Sequence, residues 1–347
     1  MPLASAAMKA MVMAAGLGTR LRPLTYEVPK PMVPVANRPV IELILRSLAS
    51  HGITEVVSNL HWFPDTITGH VGDGSRFGVS VTWSFEEELL NTAGGVRNVR
   101  EFFGDEPFLV MAGDALTDVD FGALMDAHAA NDGVATLAVK RVQNTREYGV
   151  VVTGPDGRIE GFQEKPDPAE ALSDRANCMI YALSPEIFNH FPDIPTPDFA
   201  LDVFPALLEG DIPFYVHDTD AYWNDVGSPP EYLQGNLDVA AGLVDVAAGG
   251  DSVESEADPD EPGEHLLGTE VAGLPADCEL NGRVLVGAGV EVGEGVRIDG
   301  PAVIGDGARI GKGARIKESL LLPRAEVPAN CYLVGAIAGR SGSLAGS

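Results

Sequence analysis

Aliphatic residues recur at every sixth position near the C-terminus: Leu274, Leu280, Val286, Val292, Ile298, Ile304, Ile310, Ile316 and Leu322. Glycine follows directly at 287, 293, 305 and 311. A helix cannot place every sixth residue on one face, and a hairpin sheet alternates by two. A strict six-residue period with Gly or Asp turns is the mark of a parallel β-helix, in which each short flat face turns one aliphatic inward. With three faces a coil takes about 18 residues, so residues 274–327 predict about three coils. A stack this short needs capped ends or a neighbour to pack against.

The chain before it follows a different rule. Segments 10–14, 55–60, 79–84, 107–112 and 134–142 read as strands, and 39–50, 92–103 and 121–131 have helical spacing. Such alternation predicts a mostly parallel α/β sheet covered on both faces. Residues 149–152 and 159–162 flank Gly154-Pro155-Asp156-Gly157, which predicts a β-hairpin. A helix over 199–209 and strands at 214–218 and 222–226 follow, and Ser228 caps a last helix with Pro229, Pro230 and Glu231 in its first turn. Residues 245–265 carry eight carboxylates without Lys or Arg, the composition of a solvated linker. The expected domains are therefore 1–244, a linker 245–265, a coil 266–335 and a tail 336–347. Met8-Lys9-Ala10 would itself make a natural start.

Charge and cysteine usage exclude several classes. With 51 acidic and 23 basic residues the formal net charge is −28, so nucleic acid and anionic membranes are poor partners. Lysine is scarce, six against seventeen arginines, which fits a GC-rich genome with an acidic surface or a salty cytoplasm. Cys178, Cys278 and Cys331 form no CxxC pair, which fits a reducing cytoplasm rather than a disulfide scaffold or zinc site. No apolar run approaches the ~18–20 residues of a membrane span.

Several of the few cations cluster after the first strand. Gly16-Leu17-Gly18-Thr19 turns sharply behind Ala14-Ala15, a way to bring backbone N–H groups close to phosphate oxygens. Arg20, Arg22 and Lys30 follow, and Pro23, Pro29, Pro31 and Pro34 stiffen the loop against helix or central strand. Asp114 lies just past the apolar strand 108–112, at a carboxyl end where open α/β sheets bind ligands.

The run "AAGLGTRLRPLTYEVPKPMVPVANRPVIE" resembles the signature of sugar-1-phosphate nucleotidylyltransferases, G-x-G-T-R-L-x-P-L-T followed by P-K-P. The resemblance continues through "FLVMAGDALTDVDF", "EYGVV", "GFQEKP", "NCMIYALSPEIF" and "YWNDVGSPPEYLQGN", over about residues 9–240. It implies a Rossmann-like, GT-A-like mixed sheet flanked by helices, followed by a left-handed parallel β-helix of hexapeptide repeats. The implied reaction joins a nucleoside triphosphate and a sugar 1-phosphate into an NDP-sugar and pyrophosphate. By the same resemblance Ala14, Ala15, Gly16, Gly18, Thr19, Arg20, Thr92, Ala93 and Gly94 meet the nucleotide. Arg20 and Lys30 clamp the triphosphate, and Asp114 and Asp225 hold Mg²⁺. Glu164, Lys165, Gly149 and Asn177 contact the sugar phosphate, with Lys165 on the phosphate.

The base is left open. "EEELLNTAGGVRNV" stands where the family has L-G-T-A-G, with Asn91 replacing its first Gly. Gly94 and Gly95 let a purine approach without forbidding a pyrimidine. "GDGSRFGVSV" with "TAGG" is similar to N-acetylmuramate-1-phosphate uridylyltransferases, whereas "PKPMVPVANRP" and the coil are similar to mannose-1-phosphate guanylyltransferases. GDP-mannose synthesis is the leading expectation, and glucose-1-phosphate uridylyl or thymidylyl transfer is its rival. A non-catalytic sugar-nucleotide sensor is the alternative outside enzymes. The coil has no His after His265, so acyl transfer lacks its usual base. It is expected to join subunits into a homo-oligomer, and its removal at the linker is expected to leave a soluble domain that binds NTP.

Overall fold

The computed structural model describes residues 8–246, 275–340 and 342–344. Beyond Val246 the acidic segment lies outside the described residues, as do His265 and Leu274. Two compact units make up the chain. One comprises Met1–Leu17, Val28–Pro31 and Ile44–Trp223, the other Gly18–Glu27, Met32–Leu43 and Asn224–Ser347.

The first unit is built on a nine-stranded sheet. Its main path runs Ile159–Glu164, Gly149–Thr153, Arg175–Leu183, Phe108–Ala112, Lys9–Met13, Glu55–Leu60, Ser80–Phe85. Ala135–Arg141 pairs with Arg175–Leu183, and Tyr215–Asp218 pairs with Ala135–Arg141. Lys9–Met13 is parallel to both of its neighbours, whereas Arg175–Leu183 is antiparallel to Phe108–Ala112. The sheet is therefore mixed. Its strands Lys9–Met13 and Phe108–Ala112 are almost wholly buried, as continuous apolar runs require. The hairpin Gly149–Thr153 with Ile159–Glu164 forms as its turn residues dictate.

Arg175–Leu183 escaped the sequence reading. Its register shifts between Asn177 and Tyr181, and Met179 takes a positive φ of 53°, so no clean alternation marks it. The helix expected at 92–103 divides into Asn91–Asn98 and Arg100–Phe103, and the one expected at 199–209 opens with a wide π turn, Phe199–Val203, before Phe204–Glu209. Aromatic packing closes this core. Phe103 stacks on Phe108 at 3.8 Å between centroids, and Tyr181 meets Phe199 and Phe204 edge-on.

The second unit contains the coil, a three-faced parallel β-helix. One face stacks Glu279–Asn281, Arg297–Asp299, Arg315–Lys317 and Tyr332–Val334; another stacks Val284–Val286, Ala302–Ile304, Leu320–Leu321 and Ile337–Gly339. The third stacks Glu291–Val292, Arg309–Ile310 and Glu326–Val327. Val286, Ile298, Ile304, Ile310 and Ile316 fill the interior as their period requires. The last step departs from it. Ile304 pairs with Leu321, not Leu322, and Ile310 with Val327. The corner Lys317–Leu320 is one residue shorter than Asp299–Val303, its register counterpart, so the inward position comes early, with Glu318 at φ 47° making the tighter turn. The coil also runs on into the segment read as a tail. Ile337–Gly339 extends its sheet and Gly342–Leu344 folds back antiparallel on it.

The coil is joined within its unit to parts of the N-terminal region. Asn37 Nδ2 donates to the Ile304 carbonyl at 3.0 Å from the tip of the hairpin Pro34–Val35/Arg38–Pro39. The last helix, Pro229–Ala241, lies against the strand Ala302–Ile304, and Arg283 Nη1 donates to its Ala241 carbonyl at 2.5 Å. Its buried Asn236 accepts from Ala36 N, and Tyr232 Oη donates to the Pro34 carbonyl at 2.6 Å. Ser228 occupies the N-cap position of this helix, but its side chain makes no capping bond. No helix among the described residues is long and apolar enough to cross a membrane.

Candidate active site

Met13 and Ala112 are register partners, so the two central parallel strands of the first unit end level. Gly113 follows, its N–H donating to the Met13 carbonyl at 2.8 Å. A Cβ there would stand 2.6 Å from that carbonyl oxygen, so only glycine permits the approach. Asp114 emerges next, and its Oδ2 receives Lys30 Nζ at 2.5 Å. Lys30 is 8% exposed. A cation that deep requires such a partner, and a charge-assisted bond supplies it.

In the second unit a similar pair forms. Gly18 sits in the left-handed region at φ 61° and caps the turn Thr19–Leu21, where Thr25 Oγ1 also donates to the Gly18 carbonyl. This turn projects Arg20, whose Nη2 donates to Asp225 Oδ2 at 3.2 Å. Asn224 Oδ1 accepts from Val226 N, holding Val226 at φ 44°, and Gly227 leaves room for both charged groups. A Cβ on Gly227 would meet Asp225 Oδ2 at 2.7 Å and Arg20 Nη1 at 2.9 Å. Arg22 instead stacks on the Tyr26 ring at 4.9 Å.

The hairpin places the sugar-side candidates together. Glu164 is the register partner of Gly149, and a Cβ on Gly149 would stand 3.0 Å from Glu164 Oε2. Lys165 follows at φ 46°, its N–H donating to the Tyr148 carbonyl, with Nζ 3.8 Å from Glu164 Oε1. Both side chains are about half exposed or more. Asn177 is engaged inside the chain: Nδ2 donates to Tyr181 Oη at 3.0 Å and Oδ1 accepts from Met179 N.

The nucleotide-side candidates rest on residues that no motif revealed. Ala14 and Ala15 are buried, and Ala14 N donates to Asn59 Oδ1 at 2.8 Å. Asn59 Nδ2 donates in turn to Glu86 Oε1 at 2.8 Å, and Glu86 Oε2 accepts from Leu90 N just before the helix Asn91–Asn98. Asn59 and Glu86 are 4% and 3% exposed, a buried polar pair in which each group serves the next. Gly95 faces them, since its Cβ would lie 2.9 Å from both Asn59 Nδ2 and Glu86 Oε1. Ala93, Gly94 and Gly95 are all buried, and packing within the chain already crowds both glycine positions. Asn91 adopts φ 60°, a conformation Asn tolerates better than most residues in place of glycine. Gly16 is exposed, and no protein atom lies within 4 Å of a Cβ built on it. Packing therefore does not demand glycine there.

For Mg²⁺ the donor chemistry is suitable. Asp114 and Asp225 are carboxylates whose side chains remain partly exposed. Among the described residues no group of three or more His, Cys, Asp or Glu gathers into a metal cage. Mg²⁺ needs no such cage, because it is usually held by one or two carboxylates together with substrate phosphates and water.

A mixed sheet with a carboxylate just past a central strand, paired to a buried cation, describes a protein class that handles phosphate esters. Residues 9–242 match the family described as nucleotidyl transferase, and residues 276–346 match a second, the GMPPB C-terminal domain. The chain belongs to this nucleotidyl transferase family, among the sugar-1-phosphate nucleotidyltransferases. It is 36% identical over 304 residues to UTP–glucose-1-phosphate uridylyltransferase of Synechocystis sp., covering 84% of this chain and 76% of that one. It is 33% identical over 290 residues to mannose-1-phosphate guanylyltransferase of Mycobacterium tuberculosis, covering 83% and 77%. HddC from Yersinia pseudotuberculosis, solved with GMP-PN, shares the fold with a TM-score of 0.57 at 23% identity, over 66% of this chain and 98% of that one.

Proposed function

We propose that the protein transfers GMP from GTP to mannose 1-phosphate, forming GDP-mannose and pyrophosphate. The observation that carries the base and sugar is the paired match: the guanylyltransferase of M. tuberculosis spans both regions, and the coil matches the GMPPB C-terminal domain. A second reading, uridylyl transfer to glucose 1-phosphate, draws on the Synechocystis relative, which is as extensively similar.

In either reading a phosphate oxygen of the sugar 1-phosphate attacks the α-phosphorus. A new P–O bond forms as the bond to pyrophosphate breaks on the opposite side, and no proton need move. The obstacle is repulsion between anions, so positioning and charge compensation dominate. Arg20 and Lys30 are the cations for the triphosphate, and Lys165 meets the sugar phosphate beside Glu164, which holds hydroxyls. Asp114 and Asp225 would hold Mg²⁺, which supplies further neutralisation of phosphate charge when bound. A buried ammonium such as Lys30 is held in place before substrate arrives, so little reorganisation is needed.

A grid of NTPs against sugar 1-phosphates, followed by pyrophosphate release, tests the proposal. GTP with mannose 1-phosphate should give the highest kcat/KM. Better turnover with UTP and glucose 1-phosphate would replace the base and sugar while leaving the chemistry intact.

A further inference from the structure

We propose that Asp198 is a positioning residue for the nucleotide base, and that Thr196–Phe199 splints the base-side helix Asn91–Asn98 to the sugar-side strand Arg175–Leu183. This rests on the assignment of Thr92, Ala93 and Gly94 to the nucleotide.

Four hydrogen bonds tie the start of that helix to this one segment. Thr92 Oγ1 donates to Asp198 Oδ2 at 2.8 Å and accepts from Phe199 N at 2.9 Å. Gly94 N donates to the Pro197 carbonyl at 2.8 Å, and Asn91 Nδ2 to the Thr196 carbonyl at 2.8 Å. The first N–H groups of a helix have no partner within it, and here the splint provides one. The approach is close: a Cβ on Gly94 would lie 3.3 Å from Pro197 Cδ and 3.5 Å from Thr196 Cα.

Asp198 divides its carboxylate between two tasks. Oδ2 holds Thr92, while Oδ1 accepts from Ala200 N at 2.9 Å and Leu201 N at 3.1 Å, fixing the wide turn Phe199–Val203. Asp198 N donates to Asp202 Oδ2 at 2.7 Å, so the splint is itself anchored. From there the path continues to the sugar side. Phe199 is buried edge-on to Tyr181 at 5.4 Å, and Tyr181 Oη accepts from Asn177 Nδ2. The path ends on one residue assigned to the nucleotide and one assigned to the sugar. A shift of the helix start is passed to this segment, and Asp198 is the side chain that joins Thr92 to the wide turn. The group therefore sets where the base lies and couples that position to the occupied sugar pocket.

The test is steady-state kinetics with GTP and UTP at saturating sugar 1-phosphate, with melting midpoints measured alongside. Asp198→Ala should raise the KM for NTP by about 10-fold, with a smaller fall in kcat, and should narrow the GTP-to-UTP ratio of kcat/KM. Asp198→Asn, which keeps a polar partner for Thr92, should recover most of the loss. Thr92→Val removes the other end of the bond, and combining it with Asp198→Ala should add nothing beyond the larger single effect. Tyr181→Phe should raise the KM for sugar 1-phosphate. If Asp198→Ala and Thr92→Val each leave KM and the base ratio within about twofold, the proposal is overturned. It is equally overturned if their effects add fully, or if kcat for both NTPs falls in step with a lowered melting midpoint. Absence of NTP turnover by the unaltered protein removes the nucleotide assignment and this proposal together; turnover with indifferent variants removes the proposal alone.

Discussion

Lys30 and Asp114 approach to 2.5 Å in the first unit, and Arg20 and Asp225 to 3.2 Å in the second. Both pairs join residues far apart in sequence, and both have a glycine beside them, which at Gly113 is required by the approach to the Met13 backbone. The motif revealed the charges; their pairing needed the fold to bring remote segments together. Asp114→Asn and Asp225→Asn should each cut turnover by at least about 100-fold, since each would remove a ligand charge from the proposed Mg²⁺ site that neutralises the phosphates. Asp114→Asn also removes the carboxylate charge facing the buried Lys30 ammonium, so its melting midpoint should fall, whereas Asp225 faces the exposed Arg20 and its variant should melt closer to the parent; near-normal pyrophosphate release at limiting Mg²⁺ would exclude that residue as a ligand. Asn59 and Glu86 carried no signal in the sequence, because a buried polar pair is defined only by what the fold places beside it. His128 is another such residue. It lies between Thr136 Oγ1 and Ser184 Oγ, and burial holds its imidazole below the usual range, opposed by Glu186. Its lowered folded value means the unfolded chain takes up the proton first. Its contribution to stability is thus complete above pH ~6.5 and is lost as pH falls from there through the folded value, with a slope of at most about 1.4 kcal/mol per pH unit. Thermal melts of His128→Gln should show a shallower loss between neutral and mildly acid pH. An identical slope in both proteins would assign the acid sensitivity elsewhere.

At the scale of elements, the six-residue period foretold a coil with three faces, yet it named the wrong leucine at the last step. Leu321 is fully buried beneath Ile304, whereas Leu322 is partly exposed. Leu321→Ala should therefore destabilise the protein by about 2–5 kcal/mol, and Leu322→Ala by clearly less. Denaturant melts showing the reverse order would restore the unbroken period. The slip was invisible beforehand because consecutive leucines, Leu320 to Leu322, satisfy either register. Only the stacking of each strand on the one below distinguishes them. The missed strand Arg175–Leu183 has a related cause. Its bulge and the left-handed Met179 break the alternation that would reveal a strand, and nine buried or half-buried residues then read as no regular element.

For the whole molecule, the described structure changes what removal of the coil should do. Asn37 and the helix Pro229–Ala241 pack on the coil within one unit, which also holds Arg20 and Asp225. A chain ending near Gly250 would leave the buried face of that helix and the Asn37 amide without their partners. It should melt at lower temperature and turn over more slowly than the full chain, even if it still binds NTP. An equal melting midpoint and equal turnover would show that the coil contributes nothing to those elements. Light scattering tests the expected homo-oligomer: the full chain should exceed its 36.5 kDa monomer mass, whereas a monomer at all dilutions would reject assembly through the coil. The amino-acid sequence by itself determined the two architectures and the family, and marked the charged candidates, because periodicity and contiguous motifs are local properties that survive without a fold. Which cation meets which carboxylate, which leucine turns inward, and that Gly18–Glu27 and Met32–Leu43 share a unit with a coil more than two hundred residues later were decided only by tertiary structure. Those outcomes depend on distances between segments remote in the chain, and no local pattern encodes them.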